Sequence, residues 1–252
     1  MSQNPGPYRA PSFVLLHSEP LRAALAAAGY LLALPRIAAG PRGDGHHVLV
    51  LPGLLAGDRS TAGLRLALRA RGYSPHAWRQ GLNLGPTRFA MGGLVRRLDD
   101  LHAKTGDPVS LVGWSIGGIL ARELARQFPQ KVRCVITLGS PFRLNADDAP
   151  DVTHASRIFG ALRPWHTDLM EHGLREEQRP ALRVPATSIY SRCDGMVPWE
   201  ACRNLPGELQ ENIEVTASHF GMGLHPTVLS IVADRLAQPV GAWQRYSAGP
   251  SA

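Results

Sequence analysis

The sequence predicts an α/β architecture, a mostly parallel central sheet with helices on both faces. Three observations lead there. Short β-branched runs repeatedly pass through a glycine-containing turn into a segment of helical period, which is the alternation of strand-helix-strand units. At 252 residues the chain is long enough to bury a core of its own without disulfides or metal. Its 26 glycines and 21 prolines supply many turns yet stay below low-complexity composition.

From the N-terminus, residues 1–40 read as a helical lead-in. The most apolar run there, Leu21 to Leu34, ends at Pro35 and at roughly 14 residues falls short of the ~20 that a spanning helix needs. It predicts a helix packed on the domain, with an interfacial membrane anchor as the sharper reading. Arg9, Pro11 and the polar stretch from His17 to Pro20 offer neither the basic segment nor the cleavage site of a secretion signal, so the expected location is cytoplasmic.

Beyond the lead-in, candidate strands are His47 to Leu51, Pro75 to Trp78, Val109 to Gly113, Val132 to Leu138, Ala186 to Tyr190 and Ile213 to Thr216. Candidate helices are Thr61 to Arg71, Arg88 to Lys104, Gly117 to Phe128 and Thr227 to Ala237. Ser60 or Thr61 can cap the first, Thr87 the second, and Pro226 suits the first turn of the last. One connection breaks the rhythm, because between Leu138 and Ala186 the chain is far longer than an ordinary loop and helix. Within it, Ser156 to Leu174 reads as one or two short helices broken at Pro164, carrying Ile158, Phe159, Leu162, Trp165, Leu169 and Met170. Residues 143–183 are therefore expected to form a small helical cap over a site, and residues 1–252 a single domain.

Charge and cysteine content exclude several classes. The formal net charge is +7, and Lys104 and Lys131 are the two lysines, so arginine carries most of the positive charge. The arginines are spread from Arg9 to Arg245 without a dense run or interleaved aromatics, which argues against a nucleic-acid partner. Arginine-biased codon usage or loose attachment to an anionic membrane surface both fit the surplus. Cys134, Cys193 and Cys202 are too few for a disulfide framework and lack C-x-x-C spacing, so structural zinc is not expected and free thiols are, with a Cys193–Cys202 bridge across the Asp194 loop as the alternative.

The strongest chemical signal runs from Val109 to Gly118, a buried-strand pattern entering G-x-S-x-G and then a helix. A serine at so tight a strand-to-helix turn is held in strained backbone geometry, which leaves no room for side chains two residues to either side. Ser115 is the candidate nucleophile, and the helix after it aims its N-terminal amides at a developing oxyanion. A serine nucleophile needs a base and a group that orients it. Asp194 leaves the strand ending at Tyr190 into a glycine turn and is the candidate acid, with Glu200 and Asp168 as alternatives. His219 comes after the last strand and is the candidate base, with His225 as the alternative. The amides of Ile116 and Leu54, the latter in the turn Leu51-Pro52-Gly53-Leu54-Leu55, are the candidate oxyanion donors. The loop Gln80 to Thr87 reads either as a wall of the acyl entrance or as turn formers and caps.

These pieces together resemble the α/β-hydrolase superfamily in its lipase and esterase-like branch. The likeness covers roughly Gly45 to Leu236 and rests on Pro52-Gly53-Leu54, Gly113-Trp114-Ser115-Ile116-Gly117-Gly118, Ser191-Arg192-Cys193-Asp194-Gly195 with Val197-Pro198, and Ser218-His219. Pro52 and Trp114 depart from the histidines that bacterial lipases of this branch usually carry, and Trp114 is expected to narrow the pocket behind the nucleophile. The resemblance implies the α/β-hydrolase fold and cofactor-free hydrolysis of an ester or thioester. Leu55, Trp114, Phe159 and Trp165 are the expected substrate contacts, toward an apolar, short-to-medium acyl group. An acyltransferase using the same triad and a noncatalytic ligand-binding protein are the rival readings, and the oligomeric state stays open.

Overall fold

The computed structural model describes residues 8–39, 42–144, 153–166 and 176–247. Its centre is a wholly parallel sheet in the order β2-β1-β3-β4-β5-β6. The strands are β1 (His47–Leu51), β2 (Ser74–Ala77), β3 (Val109–Trp114), β4 (Val132–Leu138), β5 (Ala186–Tyr190) and β6 (Gln210–Glu214). Around them lie α1 (Phe13–Ala39), α2 (Ala62–Ala70), α3 (Arg88–Thr105), α4 (Ile116–Gln127), α5 (Ser156–Leu162) and α6 (Pro226–Leu236).

Strand periodicity decides which helices cover which face. Val48 and Val50 of β1 point into one core with Leu64 and Leu68 of α2, Tyr30 of α1 and Val228 and Val232 of α6. Leu49 and Leu51 point the opposite way, into a second core with Leu94 and Leu98 of α3 and Leu120 and Leu124 of α4. Both faces being covered explains why the central strands read as continuous apolar runs. Strand order reverses at β1, whose neighbours are β2 and β3, so the loops leaving β1 and β3 diverge and open a crevice at the carboxyl edge.

Three expectations need correction. The last strand starts at Gln210, not Ile213, because its first residues pair through polar side chains that hydrophobicity does not reveal. Glu211 accepts from Thr187 Oγ1 at 2.6 Å and from Arg235 Nη1 at 3.2 Å. The N-terminal helix spans 27 residues and runs through Pro20 and Pro35. Its buried positions Glu19, Ala26, Tyr30 and Ile37 recur at helical period and pack toward α6 and α2, so tertiary contact carries the helix past both prolines. By length and composition it could cross a membrane, but that inner face is committed to the domain, while Val14, Leu21, Leu25 and Leu32 point outward and are exposed.

The third correction concerns the insertion. The helix there is α5, which gives way to a tight turn over Arg163–Trp165 around Pro164. The apolar stripe does not share one inward face: Phe159 packs inward against Ile116, Ile119, Phe142 and Leu54, whereas Ile158 and Trp165 are 46% and 65% exposed. Pro164 ends the helical phase, and an antiparallel bridge between Thr87 and His166 pins the chain just beyond it. His166 Nε2–H also donates to the Leu84 carbonyl at 2.9 Å. Leu169, Met170 and Asp168 lie outside the described residues. Cys134, Cys193 and Cys202 are all free thiols.

Leu124 has no exposed surface and belongs to the core under α4. Leu124→Ala should cost about 2–5 kcal/mol in urea unfolding, from lost transfer energy and the cavity left behind. A cost below about 1 kcal/mol would show that α4 does not anchor the sheet.

Candidate active site

Ser115 sits between the last residue of β3 and the first of α4 with φ 54° and ψ −124°, in the positive-φ region that costs a side-chain-bearing residue energy. The cost is sustained by packing on both flanks. A Cβ on Gly113 would stand 2.4 Å from the Gly117 carbonyl oxygen, and one on Gly117 would stand 2.5 Å from the Pro52 carbonyl oxygen. The Ser115 amide donates to the Leu138 carbonyl at 2.8 Å, fixing the turn onto the end of β4.

Two further loops converge from the carboxyl edge. After β5, Asp194 is buried and its Oδ1 accepts from the amides of Met196 at 2.8 Å and Val197 at 2.9 Å. Its Oδ2 pairs with His219 Nδ1 at 2.6 Å. A neutral ring that donates Nδ1–H to this carboxylate presents Nε2 as an acceptor. Burial pushes the His219 pKa down, but the charge and hydrogen bond of Asp194, helped by the charge of Glu19, outweigh it, and the value ends above the ordinary histidine range. The Trp114 indole N–H donates to the His219 carbonyl at 3.0 Å. Trp114 thus ties the elbow strand to the histidine loop, and its ring packs toward the core beneath α6 and lies beside Gly223.

The turn after β1 lies directly against the elbow. A Cβ on Gly53 would stand 3.4 Å from Ser115 Cβ. Leu54 packs with Ile116, and its amide has no acceptor among the described residues, while Leu55 is exposed at φ 55°. The Ile116 amide, at the first position of α4, lies before the helix's own ladder begins. Asn83 braces this turn. It is fully buried, donates from Nδ2 to the Pro52 carbonyl at 2.7 Å, accepts from the Leu55 amide at 2.8 Å and donates its own amide to Ala56 at 2.9 Å. Its Oδ1 accepts from Gly85 at 2.9 Å. Thr87, by contrast, is the expected cap, accepting from the Ala90 amide.

The alternative acid and base lie elsewhere. Glu200 sits in the short turn Trp199–Cys202, and His225 forms the N-terminal boundary of α6 without a side-chain cap bond. Trp165 lines an open groove with Leu82, Leu84, Thr87 and Phe89. Leu82 and Leu84 flank Asn83, so the groove begins at the loop that braces the turn after β1. Sequence reasoning missed two residues of this neighbourhood, Asn83 as a brace and Glu19. Glu19 did carry a signal: it is the only acidic side chain before Asp44, at the start of the apolar helical run. A carboxylate so placed needs buried partners.

A second Ser-His-Asp set lies at the opposite edge of the sheet. His46 Nε2 pairs with Ser110 Oγ at 2.8 Å, its Nδ1 pairs with Asp44, and Asp44 accepts from Arg133 at 2.8 Å. Ser110 has no exposed surface, lies inside β3 where the pairing with β4 shifts register, and receives the Cys134 thiol at 3.4 Å. Burial lowers the His46 pKa despite the Asp44 hydrogen bond, so this ring stays neutral.

With this geometry in view, comparison with known proteins is informative. A family model described as "alpha/beta hydrolase fold" matches residues 65–170. A pimeloyl-[acyl-carrier protein] methyl ester esterase of Neisseria meningitidis serogroup A is 32% identical over 118 residues, 46% of this chain and 37% of that protein. A serogroup B protein of the same name is 31% identical over 118 residues, 46% of this chain and 45% of its own length. The similarity therefore spans less than half of these relatives. Among solved structures, mature Bacillus licheniformis lipase BlEst2 superposes with TM-score 0.56 at 17% identity, covering 79% of this chain and 95% of that one. Aspergillus fumigatus lipase B gives TM-score 0.57 at 14% identity, over 79% and 54%. Parallel sheet, strained elbow and family model agree on an α/β-hydrolase fold, and the esterase relatives support an α/β-hydrolase superfamily member.

Proposed function

We propose that the protein is a carboxylic ester hydrolase that cleaves esters or thioesters of apolar, short-to-medium acyl groups through Ser115, His219 and Asp194. The observation that carries this reading is the His219–Asp194 pair at 2.6 Å, delivered by two loops to the edge where Ser115 is held at positive φ. The names of the esterase relatives support the reaction class. Ser115 Oγ attacks the acyl carbon while its proton passes to His219 Nε2. Asp194 holds the ring by Nδ1 and stabilises the imidazolium, and the amides of Leu54 and Ile116 receive the oxyanion. Collapse breaks the bond from the acyl carbon to the alcohol or thiol, whose atom takes the proton from Nε2. Water, deprotonated by the same nitrogen, then releases the acid and restores the serine.

The groove of Leu82, Leu84, Phe89 and Trp165 supports an apolar acyl group, since burying a methylene contributes about 0.8 kcal/mol. It runs from the Asn83 loop toward the insertion, and the Phe159 ring, 4.7 Å from that of the groove-lining His166, packs against the cluster of Ile116, Ile119 and Phe142.

Ser115→Ala should fold, lose fluorophosphonate labelling and retain at most about 10³-fold acceleration over water. Full labelling in that variant would remove Ser115 from the chemistry. The base must be neutral to take the proton, so activity should rise with pH through the His219 pKa, and the acid limb of kcat/KM should fall above the ordinary value of about 6.5. His219→Ala should be nearly inactive and His225→Ala nearly unaffected, and the opposite ranking would reassign the base. Across p-nitrophenyl esters from acetyl to about octanoyl, kcat/KM should climb by up to about fourfold per methylene. Trp165→Ala should flatten that slope more than it lowers acetate turnover. Equal losses at every length would exclude the groove as the acyl site.

A further inference from the structure

Glu19 lies on α1, outside the sheet and far from the triad in sequence, yet its side chain is fully buried. Its Oε1 accepts from the Gly195 amide at 2.8 Å and from the His219 amide at 2.9 Å, and its Oε2 accepts from Phe220 at 3.0 Å. Gly195 is the residue directly after Asp194. One carboxylate therefore grips the backbone of the acid loop and of the base loop at once. Arg22, nearly one turn along, donates to Glu19 Oε1 at 3.1 Å, to the Leu15 carbonyl at 2.8 Å and to the Cys193 carbonyl, so the acid loop is held from both sides of Asp194.

The two loops are shaped to receive the helix. A Cβ on Gly195 would stand 2.6 Å from the Leu15 carbonyl, and one on Gly221 would stand 3.0 Å from Ala26 Cβ, so α1 lies in backbone contact with both. A helix that only had to pack here would be served by an apolar side chain, because burying a charge costs free energy that an aliphatic residue avoids. The charge has a use at this position. The groups that act electrostatically on His219 from neighbouring elements are Asp194, after β5, and Glu19, on α1, whose partner Arg22 stands one step further away.

We propose that Glu19 is a positioning residue of the triad: from α1 it fixes the Asp194 loop to the His219 loop, and its negative charge supports the imidazolium formed when His219 takes the serine proton. The proposal rests on the hydrolase reading given above. It assigns to the N-terminal helix a part in the reaction, through loops that the helix never joins covalently.

Glu19→Gln and Glu19→Asp test it, with folding checked by circular dichroism and the His219 titration tracked by NMR on ¹⁵N-histidine protein. Glu19→Gln keeps the shape but removes the charge and turns an NH₂ toward an amide N–H. It should lower kcat about tenfold or more at nearly constant KM, and should lower both the His219 pKa and the acid limb by about half a unit. Glu19→Asp keeps the charge but loses reach, so kcat should fall while the acid limb stays near that of wild type. A folded Glu19→Gln protein with wild-type kcat and an unmoved His219 titration overturns the proposal. Should only Glu19→Asp fold, a lowered kcat supports it and an unchanged kcat overturns it. If neither variant folds, Glu19 is a folding anchor and the proposal is likewise overturned. A wild-type protein that turns over no ester would sink the hydrolase reading alone, and the NMR titration would still report whether Glu19 acts on His219.

Discussion

The constraint on which the rest of the site depends is that β3 passes into α4 with no connecting residue except Ser115. The two backbones then approach so closely that Gly113 and Gly117 have no room for a Cβ, and the turn after β1 is pressed against the same point. Ser115 absorbs the mismatch in its own backbone, at φ 54°. Once that approach is fixed, the other parts have little freedom. The turn after β1 lies against the serine, where a Cβ on Gly53 would stand 3.4 Å from Ser115 Cβ, and the histidine loop is indexed to the elbow by the Trp114 indole. Strain at one residue is sustained by hydrogen bonds and packing contributed by four loops.

The cluster at the other edge of the sheet isolates what that strain adds. Asp44, His46 and Ser110 reproduce the order of hydrogen bonds found in serine hydrolases, but Ser110 lies inside the central strand β3 with no exposed surface. The strand runs on past Ser110 with no helix beginning at it, and its hydroxyl is sealed from solvent. The two imidazoles also answer differently to similar burial. At His46 desolvation prevails, whereas at His219 the carboxylates prevail. Connectivity of side chains is therefore a weak sign of chemistry. The backbone around the oxygen is the stronger one.

Much of this was legible in the sequence. β1, β4 and β5 coincide with their apolar runs, and the elbow is written in five consecutive residues, because glycine is demanded there by local crowding. Asp194 and His219 could be named from their places after strands. What local pattern does not carry is partnership across the chain. The reach of α1 beyond both prolines depends on packing against α6, and the start of β6 depends on Glu211 meeting Thr187 and Arg235. Asn83 reads as a turn former until the Pro52 carbonyl arrives beside it. Trp114 reads as a pocket wall until its N–H is seen to reach the His219 carbonyl.

The position of Glu19 has a consequence for how the protein could be switched. The face of the sheet that packs on α3 and α4 is a core layer without residues of α1, while the opposite face shares its core with Tyr30 and Ile37 of α1. That layer would keep Ser115 in place if α1 lifted away, while the Asp194 and His219 loops would lose the carboxylate that joins them. Such a state would keep that layer and lose the tie between the two loops. The outward leucines of the same helix, Leu21, Leu25 and Leu32, are the handle by which an apolar surface could pull on that equilibrium or clamp it shut. The share of molecules with both loops tied together would then track the docking of one helix.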